Sequence, residues 1–443
     1  MNPETQLTNP AIGADATAIK FGAYNNNNKV RKQHDTWNQA WYDFSEQQYV
    51  EGLKKVFYYL LDEKEGNLTY EINDGQLNFR MYQGSAKLEG SFDGTHLHAK
   101  AVITKLDKAS PMVMRKLLDQ NQALLYSRIA LDADILIVIM MNFSTALLTP
   151  HILYSGLREL LVMADRLDDG LVRDFGQAVS IADPTLKSPI PDAEATIKYQ
   201  YAKQWTTETL AYLKATNRAD LQAIATYLPL TLVCRMNYLC SVKGAVEEKL
   251  AEIANTYWEN MQSKKLNLGA ILQKQTQLIE ALGLIPESTF RESLYRTRDS
   301  FSSKGPIEQK EIESIILHTI DDVRDAYNHG FTEHAFYALE YTLGNLVNDF
   351  NLPYLFVELY HLQMQVLHSD FFEALGFKPA VYVEGTDTLN AEAINACIHD
   401  VIDRNRELFP RISFDFSCLE FTDAYQLCLG ISTAAAKMVL TLS

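Results

Sequence analysis

The feature that most constrains the fold of this chain is a change of hydrophobic period within its first half. Between residues 45 and 61 apolar residues recur every three or four positions, a spacing that predicts a helix beginning at Ser45. Beyond the turn signal Asn73-Asp74-Gly75 the period becomes two, and apolar residues alternate with others through 77–82. Two further strands are expected at 88–92 and 97–104. The pattern therefore predicts an antiparallel meander with one face on a core.

A run of seven consecutive apolar residues, Ile135 to Met141, follows this meander. It is far shorter than the roughly 20 residues that cross a bilayer as a helix. A strand that is apolar on both faces is typical of a sheet centre, so the run predicts either the central strand of an α+β domain or a strand in a dimer interface. Ser110-Pro111 and Thr149-Pro150 combine a capping residue with a proline at the first helical position, which predicts a helix on each side of the run.

The second half of the chain has a different pattern. Three prolines among residues 184–191 predict a linker at 181–192, and the pattern beyond it is almost wholly helical. No self-similar period marks a repeat architecture, so residues 193–443 are expected to form an irregular helical bundle. Residues 1–44 lack periodicity and are interpreted as a polar tail. The predicted fold class is thus an α+β domain at 45–180, an antiparallel sheet flanked by helices, followed by a mostly α-helical domain.

The first half also carries a family resemblance. The element order, with the strand LEGSFDG, the segment PMVMRKLLDQNQALLYSRIALD and the helix LRELLVMADRLDDGLVRDFG, resembles the type III secretion chaperone-like fold shared with YbjN-type bacterial proteins. The resemblance covers about residues 45–178. It implies an acidic, cytosolic and dimeric protein that binds an extended segment of another protein along hydrophobic patches. No catalytic residue defines the family, so the resemblance implies none here.

Charge and cysteine content narrow the class of function. The chain has a formal net charge of −16, which disfavours nucleic acid and anionic membrane surfaces as partners, and no basic stripe offsets it. The five cysteines form no C-x-x-C pair, and their odd number is typical of a reducing compartment. The N-terminus shows no secretory signal pattern. We therefore expect a cytoplasmic bacterial protein without cofactor or membrane insertion.

These observations favour a non-catalytic protein-binding function, either chaperone-like or as an adaptor or subunit of a larger assembly. The partner is expected to be another protein or a second copy of the chain, with a homodimer favoured. Aromatic side chains dominate interface anchors, and an acidic helix can steer a basic partner. The residues predicted to bind a partner are Trp37, Trp41, Tyr58, Tyr82, Phe92, Asp165, Asp168 and Asp169.

Two alternatives stay open at this stage. The first is an enzyme or metal-binding protein, because Glu358 and His361 match the E-x-x-H spacing that places a carboxylate and an imidazole on one helical face. Glu340 and His334 are the other candidate ligands, although no second E-x-x-H occurs in the chain. The second alternative is a homo-oligomeric structural subunit, whose only partner is itself.

Overall fold

The computed structural model describes residues 19–181, 183–215, 222–261, 267–378 and 380–440, apart from the side chain of Asp169. The chain divides into two compact units. The α+β unit comprises Asn28–Pro189 together with Arg296–Ser303, and the helical unit comprises the other described residues. The first change of unit, after Pro189, lies inside the stretch predicted as a linker. The return of Arg296–Ser303 to the α+β unit was not predicted from the sequence.

The α+β unit is built on a seven-stranded sheet in which every pairing is antiparallel. Its strand order is β1-β2-β3-β4-β6-β5, and the short β7 pairs with the end of β4. The predicted α+β class, an antiparallel sheet flanked by helices and followed by a mostly helical region, is confirmed. The strands are Leu68–Asn73 (β1), Gln76–Gln83 (β2), Ala86–Phe92 (β3), His96–Leu106 (β4), Arg128–Leu131 (β5), Leu136–Ser144 (β6) and Val179–Ser180 (β7).

Local sequence explains how these strands form. Asp74 and Gly75 adopt φ angles of 50° and 80°, as a two-residue type I′ hairpin requires, and they join β1 to β2. Along β2 the buried and less buried residues alternate, which matches the period of two in the sequence. The seven-residue apolar run lies in and just before β6, which is hydrogen-bonded to β4 on one side and to β5 on the other. Its residues Ile137, Ile139 and Met141 belong to the core of the unit.

Four α-helices and two short 3₁₀-helices lie in the described part of the α+β unit, and both predicted caps are present. The Ser110 hydroxyl accepts from the Val113 amide at 3.4 Å, and the Thr149 hydroxyl accepts from the Ile152 amide at 3.2 Å. The longest helix packs against β2, β3, β4 and β6, and so covers the apolar face of the sheet. The helices are Arg31–Ser45 (α1), Tyr49–Leu60 (α2), Pro111–Asn121 (α3) and Pro150–Phe175 (α4).

The N-terminal part of this unit differs from the sequence prediction. Helix α1 occupies residues that were interpreted as a tail, and Ser45 ends this helix instead of capping the start of α2. The physical reason is a narrow apolar stripe: Ala40 and Phe44 are buried and Trp37 packs against the core, seven residues before Phe44. Residues 1–18 of the predicted tail lie outside the described part of the chain.

The helical unit forms one large core around α12, which packs against α7, α11, α13 and α16. Helix α7 passes directly into a π-helical turn at Met236–Cys240. Within the described ranges, no helix combines the length and apolar character that a bilayer span requires. The helices are Asp192–Ala215 (α5), Gln222–Ala225 (α6), Tyr227–Arg235 (α7), Gly244–Met261 (α8), Leu268–Gly283 (α9), Glu287–Glu292 (α10), Gln309–Asn328 (α11), Thr332–Asp349 (α12), Tyr354–Leu367 (α13), Ser369–Ala374 (α14), Ala391–Asn405 (α15) and Ala424–Ala436 (α16).

Candidate functional site

The candidate site of the α+β unit is the place where it holds the returning segment Arg296–Ser303, which we call the inserted segment. Within the inserted segment, Arg298 forms an antiparallel bridge to Gly84 just beyond the end of β2, and Arg296 belongs to a two-residue strand that pairs with Ser188–Pro189. The remaining contacts are of three kinds: side chains of the unit bind backbone groups of the inserted segment, groups of the unit bind its Asp299 and Ser300 side chains, and the Phe301 ring is buried. The site is therefore built to hold a short, irregular length of chain.

Gln83, the last residue of β2, makes the largest number of these contacts. Its side-chain carbonyl accepts from the backbone amides of Ser300 and Phe301 at 3.1 and 2.9 Å. Its side-chain N–H₂ group donates to the Asp299 carboxylate at 3.0 Å. Gln83 is buried, so it is held in place by the surrounding protein. A primary amide provides both the donor and the acceptor that this arrangement needs.

The middle of the inserted segment is buried in the unit. The Phe301 side chain is 0% exposed, belongs to the sheet core, and meets the Tyr154 ring edge-on at a centroid distance of 5.3 Å. The Ser300 hydroxyl donates to the Tyr82 carbonyl at 2.7 Å and accepts from the buried Asn67 amide group at 3.3 Å. These two residues bind to the site by burial and by hydrogen bonds at once.

The two residues before Ser300 are charged. The Arg298 guanidinium stacks on the Tyr82 ring, with the guanidinium carbon 3.3 Å from the ring centroid. The Asp299 carboxylate accepts from the Gly84 amide at 3.1 Å. Gly84 has a φ of 54°, and a Cβ atom there would collide with the Asp165 carboxylate. A side chain at position 84 would have to displace the Asp165 carboxylate, which accepts from the Ser85 amide, and glycine avoids this.

Helix α4 binds the end of the inserted segment through two arginines. Arg158 donates to the Ser302 carbonyl at 3.2 Å, and Arg166 donates to the Ser303 carbonyl at 3.3 Å. Both arginines therefore bind backbone carbonyls of a segment more than one hundred residues further along the chain.

Two of the predicted partner-binding residues lie at this site and three lie elsewhere on the α+β unit. Tyr82 stacks on Arg298, and Asp165 accepts from the Ser85 amide at 2.7 Å next to Gly84. Trp37 is half-buried against Tyr59, with a centroid distance of 4.8 Å. Trp41 and Tyr58 expose 39% and 37% of their surface, so both are available to a partner.

The remaining predicted partner-binding residues are placed differently from the expectation. Phe92 is 1% exposed and Asp168 is 4% exposed, so neither can contact a partner while the unit stays folded. Phe92 is buried because it lies four residues after Leu88 on the same strand, and alternation places both on the core face. Asp168 lies 4.0 Å from the Lys187 ammonium. The side chain of Asp169 lies outside the described part of the structure.

In the helical unit, the candidate metal ligand Glu340 is bound by protein groups. Glu340 is 2% exposed, and its carboxylate accepts hydrogen bonds from the Nε and Nη2 atoms of Arg235 at 2.9 and 2.6 Å. The carboxylate also lies 3.0 Å from the His368 Nε2 atom. Burial alone would raise the pKa of Glu340, but Arg235 and His368 outweigh it and lower the pKa to about 2. Arg235 lies over the rings of Trp205 and Tyr337, at 5.6 and 5.1 Å. A cation in this cluster would meet the guanidinium charge.

The other three candidate metal ligands each contact a different partner and do not come together. The Glu358 carboxylate pairs with the Arg404 guanidinium at 2.9 Å; burial raises its pKa to about 7, against the opposing effect of Arg404. His361 lies 3.1 Å from the Tyr238 hydroxyl, and His334 is 7% exposed beside Phe331. In the described ranges, no group of three or more His, Cys, Asp or Glu side chains is arranged to hold a metal ion.

The buried position of His361 leads to a testable pH dependence. Its ring packs against Phe21 and Phe372, and burial lowers its pKa to about 4. Because the folded-state pKa lies below the ordinary 6.5, His361 contributes stability above pH 6.5 that is lost as the pH falls through 4. We expect the lowered pKa of His361 to reduce the free energy of unfolding by about 3 kcal/mol at pH 4 relative to pH 7, as measured by urea unfolding. His361→Phe should lack this contribution.

An exposed histidine of the same unit provides the control. His329 is 64% exposed, so His329→Asn should keep the acid-dependent loss of the wild-type chain. If His361→Phe lost as much stability between pH 7 and 4 as the wild type, the linkage to His361 would be wrong.

Sequence reasoning missed Asn67, Gln83 and Arg235. Arg235 did carry a signal, because a lone charge within the apolar stretch 228–240 has to find a buried partner. Gln83 and Asn67 carry no such signal, since polar residues at the ends of strands are usually solvated. Their role depends on a segment more than 200 residues away in the sequence.

Comparison with known proteins adds no family assignment. No protein-family model matches the sequence, and no curated protein matches it either.

Proposed function

We propose that this chain is a non-catalytic protein-binding protein, chaperone-like or an adaptor, whose α+β unit holds short segments of a partner. The observation that carries the proposal is the inserted segment itself. Side-chain amides at Gln83 and Asn67 bind its polar groups, and Phe301 occupies a wholly buried position. A surface that binds backbone amides and one aromatic side chain has the chemistry of segment recognition.

The exposed surface of the α+β unit supports a protein partner as well. Three apolar side chains on α3 and the loop after it, Met112, Leu118 and Leu125, are 71%, 68% and 84% exposed. Trp41 and Tyr58 add two exposed aromatic rings. Exposed apolar side chains of this size favour association with another protein or with a second copy of the chain. We therefore propose a homodimer as the form that binds the partner.

The cellular setting belongs to the same proposal. All five cysteines are free thiols, and burial raises the pKa values of Cys234, Cys240, Cys397 and Cys428, which makes them unreactive. Free thiols fit a reducing compartment, and we propose the bacterial cytoplasm.

Affinity capture with the full-length chain tests the proposal. We expect the wild-type chain to retain one partner in fixed stoichiometry, and the double variant Trp41→Ala/Tyr58→Ala to retain at least tenfold less. Removing two exposed aromatic anchors is expected to cost about 2 kcal/mol or more of binding free energy. The readout is quantitative mass spectrometry of the eluate, with circular dichroism to show that the variant is folded.

The matched control is Leu284→Ala, which removes a side chain that is 82% exposed in the helical unit. This variant should capture as much partner as the wild type. Equal capture by the Trp41/Tyr58 variant would contradict the assigned surface, and a monomer that captures nothing would contradict the function. Recovery of the chain alone, with a dimer mass by light scattering, would favour a structural subunit. Stoichiometric iron, manganese or zinc would favour the metal-binding alternative.

A further inference from the structure

The inserted segment shows which residues the segment site of the α+β unit can distinguish, and so what a partner must carry. Four consecutive residues of the inserted segment, Arg298 to Phe301, each meet a different group of the unit. The contacts of these four residues differ in chemistry, and they therefore define an order of residue types.

The first two positions are recognised by the Tyr82 ring and by hydrogen-bond donors. The Arg298 guanidinium lies over the Tyr82 ring, a position that suits a cation and gives no binding energy to an acidic side chain. Asp299 is held by the Gln83 side-chain N–H₂ group and the Gly84 amide, at 3.0 and 3.1 Å. Two donors on one carboxylate oxygen favour an acidic residue at the second position.

The last two positions are recognised by the fit of their side chains in a buried space. Ser300 fits between the Tyr82 carbonyl and the Asn67 amide group, where its hydroxyl both donates and accepts. Phe301 fills an enclosed space beside Tyr154 that a smaller side chain would leave partly empty. The Gln83 carbonyl binds the backbone amides of both residues and fixes the register without reading their side chains.

We infer that the segment site selects a partner segment with the order basic, acidic, serine, aromatic, and that the inserted segment occupies this site until such a partner displaces it. This inference rests on the proposed function. The inserted segment carries two arginines and one aspartate, and the groups that meet it include the Arg158 and Arg166 guanidiniums. The order of the residue types, and not net charge, therefore carries the selection.

Covalent linkage makes the inserted segment a strong competitor for the segment site. A tethered ligand acts at an effective concentration of roughly millimolar, so a free peptide cannot displace it at micromolar concentration. A partner displaces the inserted segment only when it makes a second contact elsewhere on the chain, or when binding of the inserted segment is weakened. A chain with a weakened resident segment therefore tests the inference directly.

The experiment uses the full-length chain with Phe301→Ser, and a fluorescent synthetic peptide of sequence RTRDSFSS, which is that of residues 296–303. Fluorescence anisotropy should show peptide binding to the Phe301→Ser chain at least tenfold tighter than to the wild type. Adding Gln83→Ala to the variant should abolish this binding. A peptide with the same residues in scrambled order, and one with alanine in place of the phenylalanine, should bind at least tenfold more weakly.

The fold of the variant is checked by near-UV circular dichroism. If Phe301→Ser does not fold, Asp299→Ala takes its place, because that change leaves the buried ring in position and weakens the resident segment only at its polar end. A folded variant that does not bind the peptide, or that binds the scrambled peptide equally well, overturns the inference. Partner capture by the Phe301→Ser or Asp299→Ala chain is then measured with and without saturating RTRDSFSS peptide. If the peptide does not reduce capture, the inference is overturned and the proposed function stands. Peptide binding without any captured partner would contradict the proposed function, and with it displacement by a partner, while the order of residue types that the site selects would stand.

Discussion

Replacing Phe301 by alanine is expected to lower the free energy of unfolding of the α+β unit by about 3–5 kcal/mol. The Phe301 side chain is 0% exposed and lies in the core that Leu153, Leu157 and the sheet strands form. The substitution removes its burial and leaves a cavity beside Tyr154. Urea unfolding followed by circular dichroism measures the change.

The control for this prediction is an apolar residue of the same unit that lies at the surface. Leu125 is 84% exposed, so Leu125→Ala should change the free energy of unfolding by no more than about 0.5 kcal/mol. A loss below about 1 kcal/mol for Phe301→Ala would show that the α+β unit does not depend on the inserted segment. In that case the segment site would be a weak surface contact.

Truncating Glu340 to alanine is expected to cost the helical unit about 3–5 kcal/mol, because it leaves the buried Arg235 guanidinium without its counter-ion. The pair is almost fully buried, and Arg235 is 5% exposed. Replacing both residues by apolar ones of similar size, Arg235→Met with Glu340→Leu, should recover most of this loss. A double-mutant cycle by urea unfolding measures the coupling between them.

Acid titration provides an independent test of the same cluster. Arg235 and His368 hold the folded-state pKa of Glu340 at about 2, below the ordinary 4.5. Glu340 therefore contributes stability above pH 4.5 that is lost as the pH falls towards 2, about 3 kcal/mol in all. Glu340→Gln should lack this component of the acid-induced loss. An unchanged acid profile in Glu340→Gln would contradict the assignment.

Much of the fold was predictable from local pattern. The alternation in residues 77–82 predicted β2, the Asn73-Asp74-Gly75 signal predicted its hairpin, and Ser110 and Thr149 predicted the starts of α3 and α4. These features depend on neighbours within a few residues, where backbone geometry and capping hydrogen bonds act. Helix α1 was missed because its polar residues, and the four asparagines at 25–28 before it, hide a narrow apolar stripe.

The candidate site was predictable only in part. Tyr82 and Asp165 were named as partner-binding residues and lie at the segment site, but Phe92 was named on composition although its strand position places it in the core. No local pattern marks Gln83 as a ligand for backbone amides. Its partner residues, Ser300 and Phe301, lie 217 and 218 positions away in the sequence.

By itself the sequence determined the α+β class, the strand alternation and the helix caps, because each is set by interactions between residues close along the chain. Only the tertiary structure decided that the inserted segment returns to the α+β unit, and that Arg235 and Glu340 form a buried pair. Hydrophobic periodicity states which face of an element is covered, and it does not state which distant segment covers it. That choice depends on packing and buried hydrogen bonds between segments far apart in the sequence, and the binding site is formed by such contacts.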